Sequence, residues 1–194
     1  MRVRLRAQFA LAERGNASVE VFSQIATRDE NQLARLHAIW GLGQIERSAP
    51  TEKTLAPVLA LLQDEDSEVR AQAARVLGDA HYELAASTIV NLLADETPRV
   101  RFFAALALGS LESKDAGARV ISMLRENDGK DRYLTHAGVV ALELIGDREF
   151  VQQWAGDKSA AVRMAVLLVQ RRWSDSRIAQ FLDDAQLEIV TEAA

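Results

Sequence analysis

The side chains best suited to acid–base or metal chemistry are scattered along the sequence. The histidines His37, His81 and His136 lie in separate parts of the chain, whereas a zinc site on a helix needs two ligands about one turn apart. Cysteine is absent, which excludes a disulfide framework, a thiolate metal site and a covalently attached haem within this sequence. We therefore predict no catalytic residue, no metal site and no cofactor.

Carboxylates do occur in close pairs, such as Asp64 with Asp66 and Asp183 with Asp184. Two neighbouring carboxylates can act as acid and base when a site that excludes water separates their pKa values. These pairs lie in predicted turns, where water reaches them, so we interpret them as turn and helix-cap residues. The sequence has no Gly-rich phosphate loop, no Gly-x-Ser-x-Gly and no His-Glu-x-x-His motif. We do not expect an enzyme.

An aspartate and an arginine recur at fixed distances from the start of a repeated helical segment. The aspartates stand five residues before the start and the arginines one residue after it: Asp29, Asp64, Asp95, Asp157 and Asp184, with Arg4, Arg35, Arg70, Arg101 and Arg163. A carboxylate in such a turn can accept hydrogen bonds from free N–H groups at a helix start. It can also meet an arginine of a neighbouring repeat. We predict a structural ladder of these residues, broken or re-paired where the fifth copy has Leu134-Thr135 and no aspartate at position 129.

The helices that must position these charges repeat along the whole chain. The second helix of each repeat is expected to start near residues 3, 34, 69, 100, 134, 162 and 189. The mean period of about 31 residues is typical of a solenoid of helical hairpins. Small residues at the fifth position of most copies, together with Gly43, Gly78 and Gly109, allow close approach of neighbouring helices. The expected fold is an all-α, right-handed α-α superhelix of about six hairpins, a single solenoid over residues 1–194.

Composition supports this interpretation. The chain is 48% hydrophobic, 26% charged and 6% aromatic, which is ordinary for a folded globular protein and excludes extended disorder. No run of 18 uncharged apolar residues exists that would span a membrane. The net charge of −5 argues against a nucleic-acid partner, because such proteins carry a basic face.

These repeats resemble HEAT repeats, most closely those of short bacterial arrays. The resemblance rests on the aspartate in the turn, the Val-Arg pair that opens the second helix, and the small residues that follow, as in Val69-Arg70 and Val100-Arg101. It covers essentially the whole chain. It implies a HEAT-repeat α-solenoid that acts as a non-catalytic interaction scaffold.

A narrower resemblance concerns residues 3–15, 35–44 and 133–142. The amino-acid sequence of these segments is similar to that of the HEAT region of large exported planctomycete-type dehydrogenase/c-type cytochrome proteins. This resemblance implies that the sequence is a fragment of a larger protein whose dehydrogenase domain lies outside it. It also implies an exported or periplasmic location, and without it we expect a cytoplasmic one. It transfers no activity to the residues of this chain.

The face of the second helices opposite the core is expected to bind a partner. At 100° per residue, the third and seventh positions of these helices point away from the core positions. They are Leu5, Phe9, Leu36, Trp40, Arg75, Phe102, Leu106, His136, Val140, Met164 and Leu168. Large apolar groups in such a row mark an interaction site; the alternative is that tight curvature makes neighbouring rows bury one another. We predict that this concave stripe docks a protein or a neighbouring domain of the same chain, with the oligomeric state left open.

An accessory enzyme with the same fold is the alternative function. HEAT-fold proteins include lyases that attach bilins to phycobiliproteins and glycosylases that excise alkylated bases. A glycosylase would need a basic concave face, whereas the stripe has only Arg75, with Arg6 beside it. The DNA-binding alternative is therefore less favoured than the bilin lyase-like one.

Overall fold

The computed structural model describes residues 2–51 and 53–194, and the regular elements of these residues are helices, with no strand among them. This confirms the all-α expectation. The chain forms two compact units, Met1–Ala107 and Leu108–Ala194, and each is described by itself below.

The first unit alternates long second helices with shorter first helices. Its elements are α1 (Arg2–Ala12), α2 (Val19–Arg28), α3 (Gln32–Ser48), α4 (Ala56–Ala60), α5 (Ser67–Asp79), α6 (Ala86–Leu92) and the beginning of α7 (Pro98–Ser110). The second helices are α1, α3, α5 and α7, and they begin one or two residues before the predicted starts. Pro98 is the first residue of α7, a position where the missing N–H costs no helical hydrogen bond.

The second unit continues the alternation. It contains α8 (Gly117–Asn127), α9 (Arg132–Ile145), α10 (Arg148–Gln152), α11 (Ala160–Arg172), a 3₁₀ segment (Ser176–Asp183) and α12 (Leu187–Ala193). Its second helices are α9, α11 and α12. The 3₁₀ segment takes the place of a first helix, and its buried Phe181 anchors it to the core.

The second helices α5 and α9 bury the positions that the repeat pattern assigns to the core, whereas Val3 on α1 is 80% exposed. In α5 the first, fifth and ninth positions are Val69, Ala73 and Leu77, and none of them is exposed to solvent. In α9, Leu134 and Leu142 are buried in the same way. Removal of such side chains from water contributes about 25 cal/mol per Å² of apolar area, so the hairpins are held together chiefly by aliphatic packing.

Small residues let second helices of the same unit come close together. A Cβ added at Gly78 would lie 2.5 Å from the Cα of Ala107 and 2.6 Å from its Cβ. In the second unit, a Cβ at Gly109 would lie 2.9 Å from the Cα of Ala141. Both distances are too short for real carbon atoms, so only glycine permits this spacing of the helices, as the sequence pattern predicts.

The turn between the two helices of a hairpin is built on its aspartate. In each case Oδ1 of the aspartate accepts a hydrogen bond from the backbone N–H two residues later, for example from Thr97 to Asp95 at 2.8 Å and from Gln186 to Asp184 at 2.8 Å. The same bond is formed by Asp29, Asp64 and Asp157. The carboxylate thus fixes the chain direction immediately before the second helix begins.

Two arginines of the first unit bind the aspartate of the following repeat. Arg70 donates from Nε and Nη2 to the two carboxylate oxygens of Asp95 at 2.8 and 3.0 Å. Its Nη1 donates to the backbone carbonyls of Asp64 and Glu65, at 2.8 and 3.0 Å, in the turn of its own repeat. Arg35 binds both oxygens of Asp64 through Nη1 and Nη2, and its Nε donates to the backbone carbonyl of Ala26 at 2.8 Å. Each arginine therefore joins two successive turns.

The second unit keeps this arrangement at one place and replaces it at another. Arg163 binds Asp184 through Nε and Nη2 at 2.7 and 2.9 Å. Asp157 is bound instead by Arg125 Nη2 at 2.8 Å, because the ladder position of the preceding repeat is Thr135 rather than arginine.

A different residue stabilises the turn that lacks an aspartate. Asn127 Oδ1 accepts from the N–H of Asp131 at 3.0 Å, and Asn127 Nδ2 donates to the Asp131 carbonyl and to Thr135 Oγ1. This asparagine takes over the role of both ladder residues. The re-pairing expected around Leu134-Thr135 thus consists of the hydrogen bonds of Asn127 to Asp131 and Thr135.

The predicted ladder is incomplete at two positions. Among the described residues of the first unit, Arg4 forms no ion pair with Asp29, whose Oδ1 accepts from the N–H of Asn31. Among the described residues of this unit, Arg101 binds only the carbonyls of Asp95 and Glu96. The gap at Arg4 and Asp29 departs from the predicted ladder, whereas a break at the fifth copy was expected from the missing aspartate at position 129.

The ion pairs shift the pKa values of their carboxylates downward. The hydrogen bonds from Arg163 lower the pKa of Asp184, and Asp184 in turn raises the pKa of Arg163. Burial raises the pKa of Asp95, but the hydrogen bonds from Arg70 and Thr97 outweigh burial and place that pKa below its ordinary value. Hydrogen bonds from Arg177 lower the pKa of Asp175 to about 2.

We expect the Asp95→Asn substitution to lower the free energy of unfolding by about 1.5–3 kcal/mol, the range for hydrogen bonds to charged groups. The side chains of Arg70 and Asp95 are only 13% and 8% exposed, so little solvent screens the loss. The control is Asp79→Asn, which removes the exposed pair with Arg75 and should cost less than about 1 kcal/mol. Urea unfolding followed by circular dichroism measures both. Equal effects of the two substitutions would contradict a special role for the ladder.

We also expect stability to decline in acid. A carboxylate whose native pKa is lowered releases its proton more readily when folded, so the unfolded chain takes up protons first as the pH falls. The stabilisation is complete above about pH 4, near the ordinary pKa of aspartate, and is lost towards the lower native values, which for Asp175 is about 2. Melting temperatures between pH 7 and pH 2 test this. The Asp184→Asn variant should lose less over that interval than the wild type, and an equal loss would exclude Asp184 as a contributor.

Candidate partner-binding surface

The third and seventh positions of the second helices in the first unit carry a partly exposed row of large side chains. Phe9 on α1 is 45% exposed, and Leu5 beside it is similarly exposed. Trp40 on α3, and Phe102 and Leu106 on α7, are half-buried. The structure therefore leaves apolar surface accessible on three of the four second helices.

Leu36 does not belong to this accessible row. It is only 5% exposed, because α1 and α5 pack on either side of α3 and close over the third position. The expectation that Leu36 is available to a partner is wrong for that reason. Arg75, on α5, is half exposed and lies 3.6 Å from Asp79.

Polar side chains that the sequence analysis did not identify run beside this row. Gln8 on α1 donates from Nε2 to Gln44 Oε1 at 3.0 Å, so its Oε1 is free to accept from His37 Nδ1 at 2.7 Å. The His37 ring then contacts Trp40 edge-on, with 5.2 Å between ring centroids. Burial, and then the charge of Arg4, lower the pKa of His37, so the ring is neutral at pH 7.

The chain of hydrogen bonds continues from Trp40 to the next two second helices. Trp40 Nε1 donates to Oε1 of the buried Gln72 at 2.9 Å. Gln72 Nε2 donates to Glu68 Oε1 at 2.8 Å, and Glu68 accepts both Nε and Nη2 of Arg99. The orientation of Trp40 is thus fixed by Gln72, and Gln72 is itself held by its hydrogen bond to Glu68.

Two arginines flank Phe103 at the end of this chain. The guanidinium of Arg99 lies 5.0 Å from the ring centroid and that of Arg75 lies 5.8 Å from it, both within the range of a cation–π interaction. Phe102 meets Phe103 edge-on at 5.1 Å. We call the set Phe9, Trp40, Arg75, Phe102, Phe103 and Leu106 the aromatic face.

Three of the residues that the sequence analysis missed, His37, Gln72 and Phe103, occupy the fourth position of their second helices. In the first four copies this position holds Arg6, His37, Gln72 and Phe103, all of which can form polar or aromatic contacts. A helical wheel that selects the third and seventh positions passes over it, since the fourth lies about 100° away.

A cavity of about 300 Å³ opens at one end of the aromatic face. It is lined by Phe9 and Gln44 together with Ala12, Glu13, Arg47 and Ser48. Its walls thus offer an apolar ring, one carboxylate, one guanidinium and neutral polar groups.

The second unit has a smaller version of the row. His136 on α9 is exposed, while Val140 on α9 and Met164 and Leu168 on α11 are half-buried. Tyr133, at the start of α9, is 59% exposed. The exposed apolar surface here is less aromatic than that of the first unit.

Within the described parts of the chain, no cluster of three or more metal-binding side chains is present. In that same portion, none of the helices has both the length and the apolar character needed to cross a membrane.

Comparison with known proteins identifies the repeat. Residues 55–143 match the family model described as HEAT repeats. No curated protein sequence matches the chain significantly.

Solved structures share the fold. One is the CpcE–CpcF complex of phycocyanin lyase from Nostoc sp. PCC7120, at 20% identity and a TM-score of 0.63, covering 90% of this chain and 74% of that one. An engineered protein has 20% identity and a TM-score of 0.59, covering 97% and 86%. A designed armadillo repeat protein in complex with the peptide (KR)4 has 19% identity and a TM-score of 0.55, covering 97% and 88%.

These likenesses agree with the helical repeats described above. At such identities the solved structures establish the fold, whereas the family model establishes the repeat type of residues 55–143. The chain shares the helical-repeat fold of these solved structures, and its residues 55–143 match HEAT repeats.

Proposed function

We propose that the protein is a non-catalytic interaction scaffold whose aromatic face docks a polypeptide, either another protein or a neighbouring domain of the same chain. The observation that carries the proposal is the row of partly exposed aromatic side chains on three of the four second helices of the first unit. Stability alone does not require aromatic groups at positions that water reaches.

The order imposed on these side chains supports binding. Trp40 is held by Gln72, and Phe103 lies between two guanidinium groups. Tryptophan and arginine dominate the residues that contribute most to protein–protein affinity. A surface that is already ordered before binding loses less conformational entropy when a partner arrives.

A polypeptide partner also agrees with the fold. The designed armadillo repeat protein of similar fold was solved with a peptide bound. In the present protein, the cavity beside Phe9 offers a carboxylate and a guanidinium close to an apolar ring, a mixture that suits a peptide of mixed character. The second unit's Val140, Met164 and Leu168 provide further apolar surface.

The test is a displayed library of random peptides selected on the wild-type protein. Peptides that bind are then measured against the Phe9→Ser/Phe102→Ser variant, with Trp40 kept because its removal would leave the buried Gln72 oxygen without a partner. We expect Kd to rise at least about tenfold, equivalent to about 1.4 kcal/mol. The matched control is Val21→Ser/Leu84→Ser, which removes exposed apolar side chains outside the aromatic face.

Melting temperatures of both variants show whether they remain folded. The proposal requires that the control variant bind like the wild type while the aromatic-face variant binds weakly and stays folded. If the selected peptides bind both variants equally well, the aromatic face is not the docking surface.

A bilin-handling accessory protein is the second candidate function. It is favoured by the similar fold of the phycocyanin lyase complex and by a face that can contact a planar conjugated ring. A DNA glycosylase-like activity is less favoured, since the guanidinium groups of Arg75 and Arg99 are already paired with Asp79 and Glu68. Absorbance spectra recorded after incubation with a free bilin separate the candidates. The scaffold proposal predicts an unchanged pigment spectrum, whereas a saturable spectral shift abolished by Phe9→Ser/Phe102→Ser would favour the pigment function.

A further inference from the structure

The cavity beside Phe9 carries two opposite charges on its walls. Its lining includes the carboxylate of Glu13, one residue beyond α1, and the guanidinium of Arg47, in the last turn of α3. Both residues are exposed. Among the described residues of the first unit, no ion pair includes either of them. Both charges can therefore be met by a ligand that enters the cavity.

The neutral polar groups of the lining are held by hydrogen bonds. Gln44 Oε1 accepts from Nε2 of the buried Gln8 at 3.0 Å, which joins α3 to α1 and leaves Gln44 Nε2 to donate to a ligand. Ser48 Oγ donates to the carbonyls of Gln44 and Ile45 at 3.2 and 3.1 Å, so its lone pairs are left to accept. The cavity thus offers one amide donor and one hydroxyl acceptor on side chains that already have partners.

The remaining wall is apolar and the space is small. Phe9, which is 45% exposed, and Ala12 supply the apolar surface. The volume of about 300 Å³ is at the lower end of the range of about 300–1,000 Å³ for small-molecule sites. All of the lining residues belong to the first unit.

We propose that this cavity binds a free α-amino acid with an apolar side chain. The carboxylate of the ligand accepts hydrogen bonds from Arg47, the ammonium group donates to Glu13, and the side chain packs on Phe9 and Ala12. A charge-assisted hydrogen bond forms at each end of the ligand. An acid without the ammonium group would leave Glu13 unbalanced, and an amine without the carboxylate would leave Arg47 unbalanced, so the lining selects a molecule that carries both charges. The proposal does not depend on docking of a polypeptide at the aromatic face, although Phe9 belongs to both.

The experiment follows the Nε2 resonances of Gln44 in the ¹⁵N-labelled protein, assigned by their loss in Gln44→Ala. L-phenylalanine is titrated first, followed by two matched ligands: 3-phenylpropanoate, which lacks the ammonium group, and phenethylamine, which lacks the carboxylate. We expect a saturable shift with L-phenylalanine, at a Kd at least about threefold below that of either matched ligand, as the loss of one exposed ion pair implies.

Variants of the two charged residues locate the site. Glu13→Gln and Arg47→Gln should each raise the Kd of L-phenylalanine at least about threefold. The controls Glu30→Gln and Arg28→Gln change the net charge equally at exposed positions outside the cavity and should bind like the wild type. Melting temperatures establish that all four variants are folded.

Three results would overturn the proposal: a shift that does not saturate, equal affinity for the three ligands, or binding by the cavity variants that equals that of the controls. Each of them is independent of whether peptides bind the aromatic face.

Discussion

The guanidinium that joins one turn to the next is the interaction on which the repeat depends. It neutralises a carboxylate of the following repeat and at the same time satisfies backbone carbonyl groups in the turn of its own repeat. A lysine has no planar set of donors that could meet both requirements at once.

This constraint also positions the surface. The ladder arginine occupies the second position of the repeat, and the accessible row begins at the third. Because the arginine ties this helix end to the next turn, successive helices of the first unit are set in register, and their third, fourth and seventh positions fall side by side. The bond from Trp40 to Gln72 joins two helices that Arg35 and Asp64 connect in this way. The bond from His37 to Gln8 joins α3 to α1 without such an ion pair. The ladder therefore supports the aromatic face at Trp40 and not at Phe9.

The sequence was sufficient for the fold because each structural requirement repeats. Val69, Ala73 and Leu77 occupy the core as their spacing predicts, and Gly78 meets Ala107 where close approach was expected. The surface was less predictable. Whether Leu36 is buried or Phe9 exposed depends on the helices on either side, and the bonds of Gln72 depend on side chains from three helices. Neither can be derived from the periodicity of one segment.

The repeat that lacks the ladder arginine and aspartate shows which other residues can take their place. Where arginine and aspartate are both missing, Asn127 binds Asp131 and Thr135 with a single amide group, and Arg125 approaches Asp157 from a first helix instead. A neutral amide can therefore form the hydrogen bonds that a turn requires. It cannot balance the charge of the Asp157 carboxylate in the next turn, which Arg125 does instead. The turn and the charge balance are separable requirements.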